Sequence, residues 1–452
     1  MKEIPKLPPA EAIEDEVNKM KQGLTVSPSY PDIPVMVWWT PFTADDGIQQ
    51  CGEYQCYFTN DRSFRQHPST RTIFFYGTDF KTSDLPLPRT EYEDWALLHE
   101  ESPKNNPIFN HQEMMIHFNH SSTFRQESDF PLTTQYLESI NSLSSSRYLV
   151  PLHTKNTLLH GDLAPVVYVQ SGCDTPSMRD QWVEQFMKHV KVDSYGACLN
   201  NKQLPDHLQG SEQFESEQFY QLLAQYKFII SAENAVCDDY VTEKLWRPLV
   251  LGSVPIYLGA ANVRSLLPNN NSAILISDFD SPADVAEYVI KVNNDDDLYK
   301  QFLQHKREYN DNSELVTNKL LKQMMSERRW GVSRRQQQVM GTFVSHYQCH
   351  VCEKVARNMK FSNRGAQSYV KHINDDHVPG FRSLRFSADK SHYGCPAPVS
   401  PVSGESDNSS WWTQIFTRAE REARAVDILL RRNRVFNQTE LWNLVNSQRG
   451  VK

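Results

Sequence analysis

The stretch YKFIISAENAVCDDYVTEKLWRPLVLGSVPIYLG, residues 226–259, decides the fold of this chain. Its apolar and polar runs predict a strand, a loop, a helix and a second strand, in that order. In a doubly wound sheet, ligands bind at the carboxyl ends of the strands, and a helix that begins there presents free backbone N–H groups to an anion. We therefore expect a diphosphate-binding loop within this stretch.

The start of the predicted helix carries side chains that suit a nucleotide sugar. Asp238 or Asp239 is placed to cap the helix. Tyr240, Glu243 and Lys244 follow at i, i+3 and i+4 spacing, which puts them on one helix face. A lysine suits phosphate, a glutamate suits ribose or sugar hydroxyls, and a tyrosine suits either. The alternative is that Glu243 and Lys244 are ordinary surface charges on an amphipathic helix.

Apolar runs alternate with helical patterns along most of the chain and predict an α/β fold. Strands are predicted at residues 33–39, 72–76, 95–98, 166–170, 227–231, 254–259 and 273–277. Helices are predicted at residues 178–190 and from Ser281, a cap residue that Pro282 follows. Buried strands separated by helices imply right-handed crossovers and parallel sheets. Further on, residues 396–410 indicate a linker, and residues 411–446 indicate an amphipathic helical appendage.

Composition limits the possible partners. The chain has 452 residues, of which 39% are hydrophobic, and a net charge of only −8. Acidic and basic residues are mixed, so nothing favours a nucleic-acid backbone or an anionic membrane surface as a partner. No apolar run approaches the roughly 20 residues that span a bilayer, and residues 1–23 are too polar for a signal peptide. Taken alone, these features favour a soluble protein.

Two other features favour the secretory pathway. The chain has eight cysteines, an even number that suits disulfide bonds. Four glycosylation sequons are present, at Asn119, Asn270, Asn408 and Asn437. Together with the family resemblance described below, both features favour a luminal protein, whose membrane anchor we expect to lie outside this chain.

The segment 226–259 resembles the donor-binding signature of the α-1,3-fucosyltransferases, glycosyltransferase family 10. The resemblance implies that GDP-fucose is the donor and that four residues contact it, namely Asn234, Tyr240, Glu243 and Lys244. The chain departs from the family pattern at Ala232, Ala235 and Pro248. Pro248 removes a helix hydrogen bond, so we expect a kinked or shortened helix. Residues 170–201 resemble a second family block, which implies that Ser171 and Arg179 face the donor, with Arg179 on the pyrophosphate. The alternative for Arg179 is a helix-surface charge.

Residues 94–110 and 122–130 resemble the family blocks on the acceptor side. The first block implies that Glu101 is the catalytic base, because an acceptor hydroxyl must lose its proton as the new bond forms. Without the resemblance, nothing separates Glu101 from other nearby carboxylates, which are Glu100, Glu113 and Glu127. Arg125 and Asp129 match the second block, although a salt bridge that fixes the loop explains them equally well.

The family resemblance covers roughly residues 33–352 and implies a GT-B architecture, with two doubly wound Rossmann-like domains that face each other across a cleft. We expect an N-terminal arm (1–30), an acceptor-side domain (31–155), a donor domain (156–345) and a cysteine-containing C-terminal extension (346–452). The implied reaction is an inverting transfer without a metal or other cofactor. Accordingly, Asp295 to Asp297 are interpreted as a solvated turn and not as metal ligands.

Cys349 and Cys352 form a Cys-His-Val-Cys motif, and His372 and His377 lie downstream, as in a zinc site. The gap from Cys352 to His372 is longer than in a zinc finger, and a luminal protein would oxidise the cysteines. The family also carries a disulfide motif near this position. We expect Cys349, Cys352, Cys51 and Cys56 to form disulfides. The connectivity stays open for Cys51, Cys56, Cys173, Cys198, Cys237 and Cys395.

Within the family, the chain is similar to the divergent animal branch numbered ten and eleven. That similarity implies a type II membrane protein of the endoplasmic reticulum, or possibly of the Golgi, that fucosylates Ser or Thr in folded cysteine-rich EMI modules. The alternative acceptor is N-acetylglucosamine in glycoprotein N-glycans, by α-1,3 transfer. A second alternative is a catalytically inactive protein that binds GDP-fucose or acts as a chaperone. The expected partners are GDP-fucose and a glycoprotein or protein-module acceptor.

Overall fold

A computed structural model describes residues 33–43, 46–210, 213–365, 393, 395–406 and 409–448. The strands are β1 (Val35–Thr40), β2 (Gly47–Cys51), β3 (Tyr54–Thr59), β4 (Thr70–Tyr76), β5 (Asp94–His99), β6 (His120–Thr123), β7 (Val166–Val169), β8 (Val192–Tyr195), β9 (Phe228–Ala232), β10 (Val254–Leu258) and β11 (Ile274–Leu275). The helices are α1 (Gln112–Met115), α2 (Ile140–Ser144), α3 (Leu152–Leu159), α4 (Arg179–Phe186), α5 (Glu217–Leu223), α6 (Glu243–Leu251), α7 (Pro282–Asn294), α8 (Asp296–Phe302), α9 (Lys319–Glu327), α10 (Arg334–Met340), α11 (Phe343–Gly365), α12 (Trp411–Arg431) and α13 (Gln438–Ser447).

The first domain is built on a six-stranded sheet of order β2-β3-β1-β4-β5-β6. Its pairs are parallel except for the β2–β3 hairpin. Both faces are covered, since Trp95 and Leu97 of β5 belong to one hydrophobic core while Ala96 and Leu98 belong to the core on the opposite face. Successive side chains of a strand point to opposite faces, so a strand buried on both sides must be apolar throughout.

The second domain is built on a parallel sheet of order β11-β10-β9-β7-β8. Phe228 and Ile230 of β9 pack into one core, and Ile229 packs into the core on the other face. The predicted α/β fold with two doubly wound sheets is therefore confirmed. The predicted strand at residues 273–277 is only two residues long, because the chain turns into a 3-10 helix at Ile276–Asp278.

The start of α6 differs from the sequence prediction. Thr242 is the N-cap, and its hydroxyl accepts the backbone N–H of Lys244. Neither Asp238 nor Asp239 caps the helix, because α6 begins only at Glu243. A threonine hydroxyl satisfies a free N–H group at a helix start as a carboxylate would.

Tyr240 lies in the loop before α6, so the prediction that it shares a helix face with Glu243 and Lys244 is wrong. The preceding residue, Asp239, has a φ of 63°, in the left-handed region, and this turn separates Tyr240 from the helix. Pro248 lies in the second half of α6, a helix of nine residues that continues beyond the proline to Leu251.

The C-terminal segment is helical as predicted but contributes to the core of the first domain, where the sequence indicated an appendage. Buried residues of α12 and α13 share one hydrophobic core with β1 and β5, namely Ala423, Val426, Leu429, Leu441 and Val445. Polar contacts add to this packing, including a bond from the Thr82 hydroxyl to Glu422 and a 3.0 Å contact between His117 and Asp427.

All eight cysteines form disulfides. Two of these bonds, Cys51–Cys349 and Cys56–Cys352, fasten α11 to the β2–β3 hairpin. The others are Cys173–Cys198 and Cys237–Cys395. The expected oxidation of Cys51, Cys56, Cys349 and Cys352 is confirmed, although the two cysteines of the Cys-His-Val-Cys motif pair with the hairpin and not with each other. His372 and His377 lie outside the described residues.

No helix in the described part of the chain is both long and apolar enough to cross a membrane.

Candidate active site

The candidate active site lies where loops from both domains meet. Glu101 follows β5 of the first domain, while Ser171 and Asn234 follow β7 and β9 of the second. The two domains touch here, because the Tyr240 hydroxyl donates to Oε2 of Glu101 at 3.4 Å. The structure thus brings the predicted base next to a predicted donor residue from a strand end of the other sheet, as expected for a doubly wound protein.

A buried carboxylate organises the start of α6. Glu233 is fully buried and accepts the backbone N–H of Thr242 at 2.8 Å and its hydroxyl at 2.7 Å. Glu233 also lies 3.6 Å from the Lys244 ammonium, which is 3.0 Å from Glu243. The sequence analysis gave Glu233 no role, although its position directly after β9 and before Asn234 was a usable signal.

Lys244 is held as a cation. Burial lowers the pKa of its ammonium, but the charges of Glu243 and Glu233 outweigh burial, so the pKa lies above its usual value. Burial likewise raises the pKa of Glu243, yet Lys244 and Arg247 bring it down to about 2. Both groups are therefore charged at neutral pH. This network of ion pairs contradicts the alternative of two solvated surface charges.

Arg179, the first residue of α4, is fully buried. Its guanidinium donates to the carbonyl of Ala232 at 2.8 Å and to that of Gly172 at 3.1 Å, while its buried Nε has no hydrogen-bond partner in the described part of the chain. The helix-surface alternative is thus wrong. Arg179 fastens the loop after β7 to the end of β9, and its contact with a pyrophosphate stays a prediction.

Lys104 is a third cation at the site, and the sequence analysis missed it. Its Nζ would lie 3.9 Å from a Cβ placed at Gly172, so it reaches the loop after β7. Burial and the nearby charge of Arg179 lower the pKa of Lys104, and the charges of Glu101 and Lys244 also act on it. Lys104, Arg179 and Lys244 therefore lie close enough together for their charges to interact, and the charge of Glu101 also acts on Lys104. The signal was its place within the ESPK block that carries Glu101.

The structure separates Glu101 from Glu100. Glu100 is buried, its Oε1 accepts the Tyr76 hydroxyl at 3.1 Å, and none of the residues that the structure describes forms a hydrogen bond with its buried Oε2. Burial, with the charge of Glu101, raises the pKa of Glu100 to about 7. Glu101 is partly exposed at the cleft and contacts Tyr240. Only Glu101 is therefore open to an acceptor.

The residues of the second acceptor-side block have structural partners. Arg125 pairs with Glu127 at 3.0 Å and with Asp239 at 3.3 Å, which ties the first domain to the loop before α6. Asp129 contacts His120 and Lys354 in the first domain. The salt-bridge interpretation of these residues is confirmed, although they pair with other residues and not with each other.

The remaining predicted positions that the structure describes fall outside the cleft. Asn270 and Asn437 are exposed, Asn408 lies outside the described residues, and Asn119 is half-buried with its Oδ1 accepting the Trp95 N–H at 3.0 Å. Asp295 is the N-cap of α8, while Asp296 and Asp297 are its first two residues, so the interpretation of these two as a turn is wrong, although all three are exposed. Among the described residues, no group of three or more His, Cys, Asp and Glu side chains is arranged to hold a metal ion.

A cavity of about 240 Å³ opens at the carboxyl ends of β10 and β11. It is lined by aromatic and apolar side chains, including Trp182, Val236, Leu258 and Phe279. Val236 belongs to the same loop as Asn234 and Tyr240. The cavity therefore has room for a flat ring system next to the loop that carries Asn234 and Tyr240.

Two facing doubly wound domains, with a carboxylate from one and a cationic loop from the other, define a GT-B glycosyltransferase. The family models agree. The model described as glycosyltransferase family 10 (fucosyltransferase) C-term matches residues 161–371, and the fucosyltransferase N-terminal model matches residues 31–136. The chain belongs to glycosyltransferase family 10 and is a fucosyltransferase.

Comparison with individual proteins is more specific than comparison with the family models. A Xenopus laevis protein named GDP-fucose protein O-fucosyltransferase 3 is 44% identical over 91% of this chain and 84% of its own length. The Homo sapiens protein of the same name is 41% identical over 94% and 86%. A solved α1,3-fucosyltransferase with GDP-fucose covers 62% of this chain and 84% of its own, at 15% identity and a TM-score of 0.37. A second, with GDP, covers 73% and 92%, at 14% identity and a TM-score of 0.39.

Proposed function

We propose that this chain transfers L-fucose from GDP-fucose to a Ser or Thr hydroxyl of a folded protein module. The observation that carries the proposal is the contact of Glu101 with Tyr240, which places a carboxylate of the first domain at the cationic loop of the second. The printed name of the relatives, GDP-fucose protein O-fucosyltransferase 3, supports the donor and the protein acceptor.

The donor binds at the second domain. The guanine ring occupies the cavity beside Val236, and the diphosphate faces Lys244 and Lys104, with Arg179 behind them. These cations lie in a partly buried cleft, where a fixed charge stabilises a developing negative charge more strongly than in water. The departing GDP gains that negative charge as its bond to C1 of fucose breaks.

Glu101 acts on the acceptor. The acceptor oxygen attacks C1 of β-linked fucose, the bond from C1 to the phosphate oxygen breaks, and its electron pair leaves with GDP. The proton of the hydroxyl passes to Glu101. One displacement inverts C1 and gives an α-fucoside, so one base suffices.

The reaction proceeds without a divalent metal. Three cations, Lys104, Arg179 and Lys244, support this proposal, because they converge where a transferase of another type would bind a metal ion.

The compartment is the lumen of the endoplasmic reticulum, and the acceptors are cysteine-rich modules of the EMI type. Four disulfides support an oxidising compartment, and the exposed sequons at Asn270 and Asn437 support a luminal one.

The test measures GDP release from GDP-fucose in EDTA, with folded EMI modules and with N-acetylglucosamine-ended glycans as acceptors. Glu101→Gln is compared with wild type and with Glu113→Gln, a matched change at a partly exposed carboxylate away from the cleft. We expect turnover on the modules only, a loss of about 10²- to 10⁴-fold in kcat for Glu101→Gln, and unchanged GDP-fucose binding. Fucose released from the product by β-elimination would identify a Ser or Thr linkage.

Other outcomes are equally informative. Turnover on glycans alone, with fucose lost after N-glycanase, would overturn the protein acceptor. Wild-type kcat in Glu101→Gln would overturn the base. Activity that EDTA abolishes and Mg²⁺ or Mn²⁺ restores would overturn metal independence.

A further inference from the structure

Two tyrosines contact Glu101 from distant parts of the chain. The Tyr240 hydroxyl, in the loop before α6, donates to the carboxylate at 3.4 Å. The Tyr393 hydroxyl, in the C-terminal segment, donates to the backbone carbonyl of Glu101 at 3.0 Å. Both tyrosines are buried. Glu101 is thus held at its side chain by Tyr240 and at its backbone carbonyl by Tyr393.

The two tyrosines are joined through a third ring. Phe124, just after β6, packs edge-to-face against Tyr240 and against Tyr393, with ring centroids 5.0 Å apart in each pair. His99, the last residue of β5, stacks on Tyr393 with ring centroids 6.0 Å apart. Edge-to-face pairs at this distance have a preferred geometry, so the position of one tyrosine restricts the other.

A disulfide joins the same two segments covalently. Cys237 precedes Tyr240 in the loop before α6, and Cys395 follows Tyr393 in the C-terminal segment. The Cys237–Cys395 bond brings their Cα atoms to 4.2 Å. Tyr240, Phe124, Tyr393 and the disulfide thus form one connected group next to Glu101.

We propose that Tyr393, held in place by the Cys237–Cys395 disulfide, is a positioning residue that fixes the peptide group of Glu101 and so aims its carboxylate into the cleft. This inference rests on the proposed role of Glu101 as the base. It makes the C-terminal segment a part of the catalytic centre.

The need for such a residue follows from the position of Glu101. β5 ends at His99, so the hydrogen bonds that fix residues within the sheet stop before Glu101. A base must lie within about 2.6–3.2 Å of the proton that it accepts. A misplacement of about 1 Å costs up to about 100-fold in rate. The sheet no longer restrains the peptide group of Glu101, and the hydrogen bond from the Tyr393 hydroxyl restrains it instead.

The test replaces Tyr393 with phenylalanine, which keeps the ring contacts to His99 and Phe124 and removes only the hydroxyl. We expect kcat to fall about 10-fold or more, while KM for GDP-fucose and GDP affinity stay at their wild-type values. The matched control is Tyr347→Phe, at a fully buried tyrosine whose hydroxyl has no hydrogen-bond partner among the described residues. It should keep the wild-type kcat.

The disulfide is tested through the double variant Cys237→Ser/Cys395→Ser, alone and combined with Tyr393→Phe. If the disulfide acts through Tyr393, the combined loss in kcat equals the larger of the two separate losses. Losses that multiply would overturn the link between disulfide and tyrosine. Should the cysteine variant fail to fold, Tyr393→Phe alone still decides the role of the hydroxyl.

The two proposals fail in different ways. A wild-type kcat in Tyr393→Phe, together with an inactive Glu101→Gln, would overturn the positioning role and leave the base intact. An active Glu101→Gln would overturn the base itself. A Tyr393→Phe protein with a raised KM for GDP-fucose and a lower Tm would show a general structural role in place of positioning.

Discussion

The two halves of the site are assembled in different ways. The donor half takes Glu233, Thr242, Glu243 and Lys244 from one continuous loop and helix start, and these side chains bind one another. The acceptor half surrounds Glu101 with residues from separate strands and from the C-terminal segment. A site built from one stretch carries its pattern in the local sequence, whereas a site built from many becomes visible only in the fold.

Lys104 does not fit this division, because it follows β5 of the first domain yet is proposed to face the donor. We expect Lys104→Met to lower kcat/KM for GDP-fucose about 30-fold, or about 2 kcal/mol, since a cation near the diphosphate is lost. The exposed Lys188, changed to Met, is the matched control and should keep the wild-type value.

The pH dependence of kcat/KM tests the same residue. Burial and Arg179 lower the pKa of Lys104, so its charge is lost at a lower pH than that of an ordinary lysine. The wild-type kcat/KM should therefore begin to fall on the alkaline side at a lower pH than an ordinary lysine would give, and Lys104→Met should lack that part of the decline. An equal decline in both proteins would show that Lys104 does not act on the donor.

Much of the fold follows from the sequence, because buried strands such as β9 and β10 are continuous apolar runs that any doubly wound sheet needs. The donor loop follows as well, since Glu243 and Lys244 sit directly at the helix start. The position of Tyr240 did not follow, because Asp239 adopts a positive φ while its carboxylate bonds Gln126 and Asn262, two tertiary contacts.

The acceptor half could not be derived in the same way. Glu100 and Glu101 are adjacent and chemically identical, and only the fold buries one and exposes the other. Tyr393 lies almost 300 residues from Glu101, in a region whose composition indicated an appendage. The disulfide partners of Cys349 and Cys352 depend on how α11 packs against the hairpin. Contacts at such separation leave no periodic pattern in the sequence.

The ionisation of Glu100 distinguishes this buried carboxylate further from that of Glu101. Burial raises its folded-state pKa to about 7, above the usual 4.5, so the folded protein holds a proton that the unfolded chain has lost between these values. This contribution to stability is complete below about pH 4.5 and is lost as the pH rises through about 7. Relative to wild type, Glu100→Gln should therefore gain stability over that interval, on the order of 3 kcal/mol at most by pH 8.

Tm values of both proteins between pH 4.5 and 8 give the measurement. The difference between them removes the contributions of all other titrating groups. Glutamine keeps an oxygen for the Tyr76 hydroxyl, so the hydrogen bond is not the variable. A Tm difference that does not change with pH would mean that Glu100 ionises at its ordinary pKa and that its burial carries no electrostatic cost.

The smallest effect is expected within the donor half, at the cap of α6. Thr242→Ala removes the hydroxyl that accepts the Lys244 N–H and donates to Glu233, which should cost about 1 kcal/mol of stability and raise KM for GDP-fucose about fivefold. Thr242→Ser keeps the hydroxyl and should restore both values. If alanine leaves KM unchanged, the cap does not set the position of Lys244. The cap lies within the same continuous stretch as the side chains that it positions. If Thr242→Ala raises KM and leaves kcat unchanged, the donor half works independently of Glu101.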